Sequence, residues 1–244
     1  MQSDLPKVLH TLSERPLVWH VLDQAVLAGI TSIIIIVSYQ KEKVIASCNE
    51  WQAQNSHIKL SYADQGEPKG TGHAVLAAEP YMGEKDGSMM VLLGDVPAIK
   101  AETLKELQVL FTASEASAMV TTTKLHDATG YGRIVRKNDG AVQKIVEQKD
   151  ATPEELKIQE INTGIFVFNS RDLWPALKSI TPHNAQGEYY LTDIVEVLIS
   201  NKKKVVAQCF EDSAQFRGVN SPDELKQVAS SMSGTKLSVA AGPL

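Results

Sequence analysis

Five consecutive apolar residues, Ile33 to Val37, constrain the fold of this 244-residue chain more than any other segment. A strand with apolar side chains on successive positions is buried on both faces, as in parallel sheets that carry helices on both sides. A helical apolar pattern precedes it over 17–27 and stops before Gly29, a residue that favours helix ends. The apolar run is too short to cross a bilayer. It therefore predicts a buried strand of a helix-covered sheet.

Strand and helix patterns alternate through the first half of the chain. The predicted strands cover 32–37, 59–62 and 89–93, and the predicted helices cover 17–27, 42–54, 71–78 and 102–110. This alternation predicts an α/β fold with a doubly wound, mostly parallel sheet.

The second half has a different pattern. Two short apolar segments, 133–136 and 141–146, flank Asn138-Asp139-Gly140, which is a strong hairpin-turn sequence. A strand is predicted over 165–168, helices over 171–178 and 193–199, and a last strand over 205–210. We expect one domain over 1–229, with a small β-hairpin subregion. The Ser-, Gly- and Ala-rich residues 230–244 form a tail.

Composition narrows the function classes. The net charge of −5 argues against broad binding to nucleic acid or to anionic membranes. Cys48 and Cys209 are the two cysteines; two distant cysteines make no disulfide framework, and no Cys/His cluster has the spacing of zinc ligands. The N-terminus carries no signal-peptide pattern, and a soluble, cytoplasmic protein is expected.

Two short motifs lie where an open α/β sheet binds ligands, at the carboxyl ends of strands. Asp95 follows Gly94 and a predicted buried strand, and it could hold Mg²⁺ or simply cap the next loop. Gly70-Thr71-Gly72 precedes a predicted helix and would let its backbone amides approach a ligand. The alternative is an ordinary strand-to-helix turn, since the motif matches neither a Walker loop nor a dinucleotide fingerprint.

Four further polar residues are candidates. Lys7 suits a phosphate, although most surface lysines are merely solvated. Glu147 and Asn162 could hydrogen-bond a polyol or serve the structure. Asn220 could be a second metal ligand, although turn asparagines are commoner. His10, His20, His73 and His183 do not have the spacing of a triad or a metal site, and they are expected to be packing or surface residues.

Eight stretches together carry a family pattern: SDLPKVLHTL, KGTGHAV, LLGDVP, ATGYGRIVR, IVEQKDAT, QEINTGIFVF, NAQGEYYLTDIV and GVNSPDEL. In this order, from residue 3 to about residue 225, they resemble the uridyltransferase domain of bacterial N-acetylglucosamine-1-phosphate uridyltransferases, in the sugar nucleotidyltransferase family. NAQGEYYLTD and QEINTGI are the most specific of them. The resemblance implies a Rossmann-like nucleotidyltransferase sheet.

The resemblance also implies residue roles. Lys7 would bind the nucleotide phosphates and take part in catalysis with Asp95, and Asp95 and Asn220 would hold Mg²⁺. Nucleotide binding would further involve Gln65, Gly70, Thr71 and Gly94, of which the first three recognise uracil. The N-acetylglucosamine pocket would be lined by Gly132, Glu147, Asn162 and Thr192. Leu93 replaces a tyrosine usual in the family, and we expect it to tune the site.

The implied reaction joins UTP and N-acetylglucosamine 1-phosphate to give UDP-N-acetylglucosamine and pyrophosphate, with Mg²⁺ as cofactor. Its product would supply peptidoglycan and lipopolysaccharide synthesis. No acetyl transfer is expected, because the family's acetyltransferase domain does not match any part of the chain. No nucleic-acid or membrane partner is implied, and a homo-oligomer is compatible with the pattern.

The family pattern begins before Met1, with a buried strand and a glycine-rich phosphate-binding loop. We therefore expect the chain as written to bind UTP poorly and to turn over slowly. The tail sequence KLSVAAGPL could replace the strand, or its likeness to the strand and loop could be chance, which we favour. Two other functions stay open: a catalytically impaired sugar-nucleotide-binding domain, and a pyrophosphorylase for another sugar phosphate.

Overall fold

A computed structural model of the protein describes residues 4–82 and 87–234. Its strands are β1 (Thr11–Leu12), β2 (Arg15–Pro16), β3 (Ser32–Val37), β4 (Lys59–Asp64), β5 (Ser88–Val91), β6 (Ala118–Lys124), β7 (Arg133–Arg136), β8 (Val142–Val146), β9 (Glu160–Asn169) and β10 (Val205–Phe210). Its α-helices are α1 (Leu17–Leu27), α2 (Lys41–Gln54), α3 (Thr71–Leu76), α4 (Glu79–Met82), α5 (Ala101–Ser114), α6 (Ser170–Leu177), α7 (Ile194–Ser200) and α8 (Pro222–Gly234). Short 3₁₀ turns lie at Lys7–Leu9, Glu155–Lys157, Leu191–Asp193 and Ser213–Phe216.

The strands form one large sheet and two small ones. The six-stranded sheet has the order β10-β6-β9-β7-β8, and β5 also pairs with β9. Strand β10 is parallel to β6, whereas β5, β6 and β7 are all antiparallel to β9. Strands β3 and β4 form a separate parallel pair, and β1 and β2 form a short hairpin. The predicted α/β class is confirmed, and every antiparallel pairing of the large sheet involves β9 or the predicted hairpin of β7 and β8.

Strands β3 and β5 each pair on one side only within the described residues. The isoleucines of β3 are accordingly half-buried rather than fully buried. The predicted helix over 17–27 and strands over 32–37 and 205–210 are confirmed at their stated bounds. Helix α8 runs to Gly234, and residues 235–244 of the predicted tail lie outside the described residues.

Strand β9 divides the core into two layers because its side chains alternate between the faces of the sheet. Phe166 and Phe168 point into the cluster that includes α6 and α7, and their rings stack with centroids 5.4 Å apart. Ile165 and Val167 point into the opposite cluster, which is built on α5. Within the described residues, no helix is long and apolar enough to cross a membrane.

We predict that Phe168→Ala lowers the free energy of unfolding by about 3–5 kcal/mol, because the ring is fully buried and its removal leaves a cavity in a packed layer. Urea unfolding of both proteins measures the change. Val109→Ala on the exposed side of α5 is the control, with an expected effect within about 0.5 kcal/mol. Equal effects of the two substitutions would contradict the assignment of the core.

Candidate functional site

Three predicted site residues from distant parts of the chain meet in one cluster. Lys7 lies in the first 3₁₀ turn, Asp95 follows β5, and Asn220 precedes α8. The Lys7 ammonium forms an ion pair with Asp95 Oδ2 and donates a hydrogen bond of 2.5 Å to Asn220 Oδ1. The Asp95 and Asn220 side-chain oxygens therefore converge on one positive charge.

Local hydrogen bonds hold the two oxygen donors in place. The backbone N–H of Val219 donates to the Asp95 carbonyl at 2.9 Å. The backbone N–H of Asn220 donates to Glu224 Oε2 at 2.6 Å, and the Glu224 N–H donates to Ser221 Oγ at 3.2 Å. Ser221 thus caps the start of α8, and Glu224 reaches back to the N–H of Asn220, one residue before the position that a capping box uses. The sequence Ser-Pro-Asp-Glu carries this signal, although Glu224 was absent from the predicted site.

The donor set of this cluster fits Mg²⁺. Magnesium takes oxygen ligands, uses one or two from the protein, and completes its octahedron with phosphates and water. Asp95 supplies a carboxylate and Asn220 an amide oxygen, and both already face the Lys7 cation. Within residues 4–82 and 87–234, no three His, Cys, Asp or Glu side chains converge as an all-protein metal cage would require.

A cavity of about 320 Å³ opens beside the cluster, within the size range of small-molecule sites. Five predicted site residues line it: Asp95, Gly132, Glu147, Asn162 and Asn220. Leu93, named as the family departure, also lines it. Residues that the sequence reasoning missed are Val96, Thr129, Gly130, Tyr131, Thr163, Gly164, Phe216, Gly218 and Glu224. They are small, apolar or neutral in the main, and single residues of these types carry no sequence signal.

Glu147 presents a carboxylate to the cavity in a partly desolvated setting. Thr192 Oγ1 donates to its Oε1 at 3.0 Å. Burial raises the pKa of Glu147, the hydrogen bond from Thr192 lowers it, and the nearby charge of Asp150 raises it. Gly132 leaves room beside this carboxylate, because a Cβ there would lie 3.3 Å from Glu147 Oε2.

Asn162 is fixed by its own strand. Its backbone N–H donates to the Gly132 carbonyl at 2.9 Å, and its Oδ1 accepts from the Gly164 N–H at 3.0 Å. Gly164 has φ +80, and a Cβ there would lie 2.6 Å from Leu93 Cδ1. Position 164 therefore favours glycine for its backbone conformation, and a Cβ there would also displace the end of the Leu93 side chain.

The predicted uracil-binding residues form a second group, none of which lines the cavity. Gln65 follows β4, and its Nε2 donates to the Gly70 carbonyl at 3.1 Å. Gly70 has φ +108, and a Cβ there would lie 2.5 Å from the Tyr189 carbonyl oxygen. Gly72 N–H donates to that same oxygen at 2.8 Å. The segment around Tyr189 therefore packs directly on the glycine-rich turn.

This same segment connects the second group to the cavity. The Leu191 N–H donates to Thr71 Oγ1 at 2.9 Å, and the next residue, Thr192, donates to Glu147. Thr71 therefore helps to anchor the backbone at Leu191, a contact that the sequence does not reveal. Thr192 is buried and acts on the cavity through Glu147.

Gly94 lies under the turn that carries Lys7. A Cβ on Gly94 would lie 3.2 Å from Val8 Cγ1, so the glycine allows this turn to approach the end of β5. Gly94 thereby helps to bring Lys7 to Asp95, and it does not line the cavity itself.

Arg133 is a buried cation behind the cavity wall, and sequence reasoning did not select it. Its guanidinium donates to the Tyr131 carbonyl and, at 3.3 Å, to Gln148 Oε1. Gln148 Oε1 also accepts from the Gly130 N–H at 2.5 Å. Within the described part of the chain, no carboxylate lies within ion-pair distance of Arg133, so its charge favours an anion nearby. The only hint in the sequence is an arginine that opens an apolar strand.

The nucleotidyl transferase family model matches residues 2–221. The chain belongs to the nucleotidyl transferase family. It is 44% identical to the bifunctional protein GlmU of Enterococcus faecalis over 220 residues, which are 90% of this chain and 46% of that protein. It is 42% identical to GlmU of Acetivibrio thermocellus over 227 residues, 93% of this chain and 48% of that protein. This nucleotidyl transferase thus spans about half the length of these curated relatives.

Solved structures support the same fold. A UDP-glucose pyrophosphorylase complexed with UDP-glucose superposes with a TM-score of 0.74 at 18% identity, covering 95% of this chain and 91% of that one. The apo form of a UDP-glucose pyrophosphorylase superposes equally well, with a TM-score of 0.74 at 17% identity. At this identity the likeness concerns the fold alone.

Asp193 makes the stability of the folded protein depend on pH, and this dependence can be tested. Burial, together with the negative charges of Glu196, Glu147 and Asp150, raises the pKa of Asp193 to about 6. Between the ordinary aspartate pKa near 4 and about 6, the folded protein binds more protons than the unfolded chain. The stability therefore falls as pH rises through this window and stays reduced above it.

We predict that Asp193→Asn raises the free energy of unfolding at about pH 8 by about 1–2 kcal/mol, allowing for partial solvent exposure. The difference should shrink to nearly zero at about pH 4, where the aspartate is largely protonated in the folded protein. Urea unfolding at both pH values measures this difference. Glu106→Gln, at an exposed position of α5, is the control. A gain that is the same at both pH values would contradict this account.

Proposed function

We propose that this nucleotidyl transferase moves UMP from UTP to N-acetylglucosamine 1-phosphate, releasing pyrophosphate and forming UDP-N-acetylglucosamine. The observation that carries the proposal is the arrangement of one cavity. At one end lies the cluster of Lys7, Asp95 and Asn220, suited to phosphates and a metal ion. The polar groups of Glu147 and Asn162, which suit sugar hydroxyl and amide groups, line the same cavity.

The chemistry needs positioning and charge neutralisation, with no covalent enzyme intermediate. A phosphate oxygen of the sugar phosphate attacks the α-phosphorus of UTP, and the bond to the bridging oxygen breaks as pyrophosphate leaves. Asp95 and Asn220 would hold Mg²⁺, which when bound neutralises phosphate charge. Lys7 would bind the nucleotide phosphates, and Arg133 adds a buried positive charge behind the wall of the cavity.

Substrate selection would be divided between the two groups of residues. Gln65, Gly70 and Thr71 would recognise uracil, with Gly94 helping to seat the nucleotide. Gly132, Glu147 and Asn162 would contact the N-acetylglucosamine moiety, and Thr192 would orient Glu147. We also place the reaction in the cytoplasm, as a source of UDP-N-acetylglucosamine for peptidoglycan and lipopolysaccharide, on the strength of the GlmU resemblance.

Two alternatives are tested by the same assay. A pyrophosphorylase for another sugar phosphate would release pyrophosphate faster with glucose 1-phosphate than with the N-acetylated substrate. An impaired binding domain would bind the sugar nucleotide with no turnover. The 44% identity to GlmU, against 18% to the UDP-glucose enzyme, favours the N-acetylated substrate.

We predict Mg²⁺-dependent pyrophosphate release from UTP and N-acetylglucosamine 1-phosphate, and its loss in Asp95→Asn. The substitution keeps the volume of the side chain and removes the charge that would hold Mg²⁺. A coupled pyrophosphatase–phosphate assay measures turnover, and circular dichroism checks the fold. Asp139→Asn in the exposed hairpin turn is the control. Full activity of Asp95→Asn at low Mg²⁺ would show that the metal role is misassigned.

We predict that Glu147→Ala raises the KM for N-acetylglucosamine 1-phosphate by about 10–100-fold, with a smaller effect on the KM for UTP. A hydrogen bond to a charged acceptor contributes about 1.5–3 kcal/mol, and only the sugar substrate would lose it. Initial rates with each substrate varied in turn separate the two constants. Equal increases for both substrates would rule out a sugar-specific role for Glu147.

A further inference from the structure

Lys7 occupies the position between two oxygen donors where the proposed metal ion would bind. Its ammonium contacts both Asp95 Oδ2 and Asn220 Oδ1, the donor pair assigned to Mg²⁺. Magnesium requires ligand oxygens at about 2.0–2.1 Å in an octahedral shell. An ammonium and a divalent cation that lie between the same two oxygens compete for that position, because the two positive charges repel each other at short distance.

The geometry allows the Lys7 side chain to leave while its backbone stays in place. The Leu9 N–H donates to the Pro6 carbonyl at 2.9 Å, Leu9 is buried, and Val8 packs over Gly94. The Lys7 side chain itself is 41% exposed and that of Asp95 20%. A flexible four-carbon stem on a fixed turn can swing the ammonium from Asp95 to a phosphate nearby.

We infer that Lys7 is an internal competitor of the metal ion, which holds the Asp95–Asn220 pair closed until a phosphate draws the ammonium away. The inference rests on the proposed metal site and adds a coupling to it. By linkage, an anion that removes Lys7 raises the metal affinity by the factor with which the metal raises the anion affinity. Lys7 would thus make nucleotide and metal binding mutually dependent.

The test measures Mn²⁺ binding to the full chain without nucleotide. The electron paramagnetic resonance signal of free Mn²⁺ reports how much of the ion is bound. Lys7→Met keeps most of the apolar stem and removes the charge. Its dissociation constant for Mn²⁺ should be lower than that of the wild type by up to about fivefold, because an exposed ion pair contributes up to about that factor. Lys7→Arg keeps a cation and should bind Mn²⁺ like the wild type.

Lys100→Met is the matched control. Lys100 pairs with Asp212 at 2.6 Å, and its side chain is 44% exposed, so this variant also leaves one aspartate unpaired, away from the cavity. It should gain no Mn²⁺ affinity. Adding Asp95→Asn to Lys7→Met should remove the gain.

The inference is overturned if Lys7→Met binds Mn²⁺ no tighter than the wild type, if Lys100→Met gains equally, or if the gain survives Asp95→Asn. These outcomes are independent of turnover. If the wild type releases pyrophosphate but Lys7→Met binds Mn²⁺ no tighter than the wild type, the proposed function stands and only the competition is ruled out. If there is no turnover but the Mn²⁺ affinities follow the predicted pattern, the competition stands and the proposed function is ruled out.

Discussion

Strand β9 pairs along its length with three neighbours, and both the sheet and the cavity depend on this pairing. Its last residues lie between β5 and β6, while its first residues pair with β6 and β7. The register with β6 shifts between Val120 and Thr122, opposite the segment that contains Gly164. The strand can therefore bury Phe166 and Phe168 at one end and present Asn162 to the cavity at the other.

The site is built from single polar and charged side chains at the ends of separate elements. Lys7, Asp95 and Asn220 come from a 3₁₀ turn, a strand end and a helix start, and Glu147 follows β8. The segment that ends at Thr192 joins the turn at Thr71 to Glu147 through two hydrogen bonds. These two hydrogen bonds join the two groups of residues through a single stretch of backbone.

Patterned elements could be predicted from the sequence, and unpatterned ones could not. The predictions for α1, β3 and β10 match their bounds because their apolar periods are clear. Strand β6, Ala-Met-Val-Thr-Thr-Thr-Lys, was missed because it shows no alternation of apolar and polar residues, although valine and threonine favour strands. In the structure those threonines are buried, and Thr122 and Thr123 donate to Glu160 Oε1 and to the Phe210 carbonyl, both at 2.7 Å. These partners, from β9 and β10, satisfy two of the three buried hydroxyls.

The sequence by itself determined the α/β class, the position of Asp95 after an apolar strand, and the family resemblance, because periodicity and motifs are local properties. Which residues meet was decided by tertiary structure alone. Lys7 and Asn220 are 213 positions apart, yet they share one cluster with Asp95, and Arg133 lies behind a wall that includes Tyr131. Thr71 accepts a hydrogen bond from a backbone 120 positions away. Such contacts follow from the packing of strands and helices on β9, and no local pattern encodes the distance between two side chains that the fold brings together.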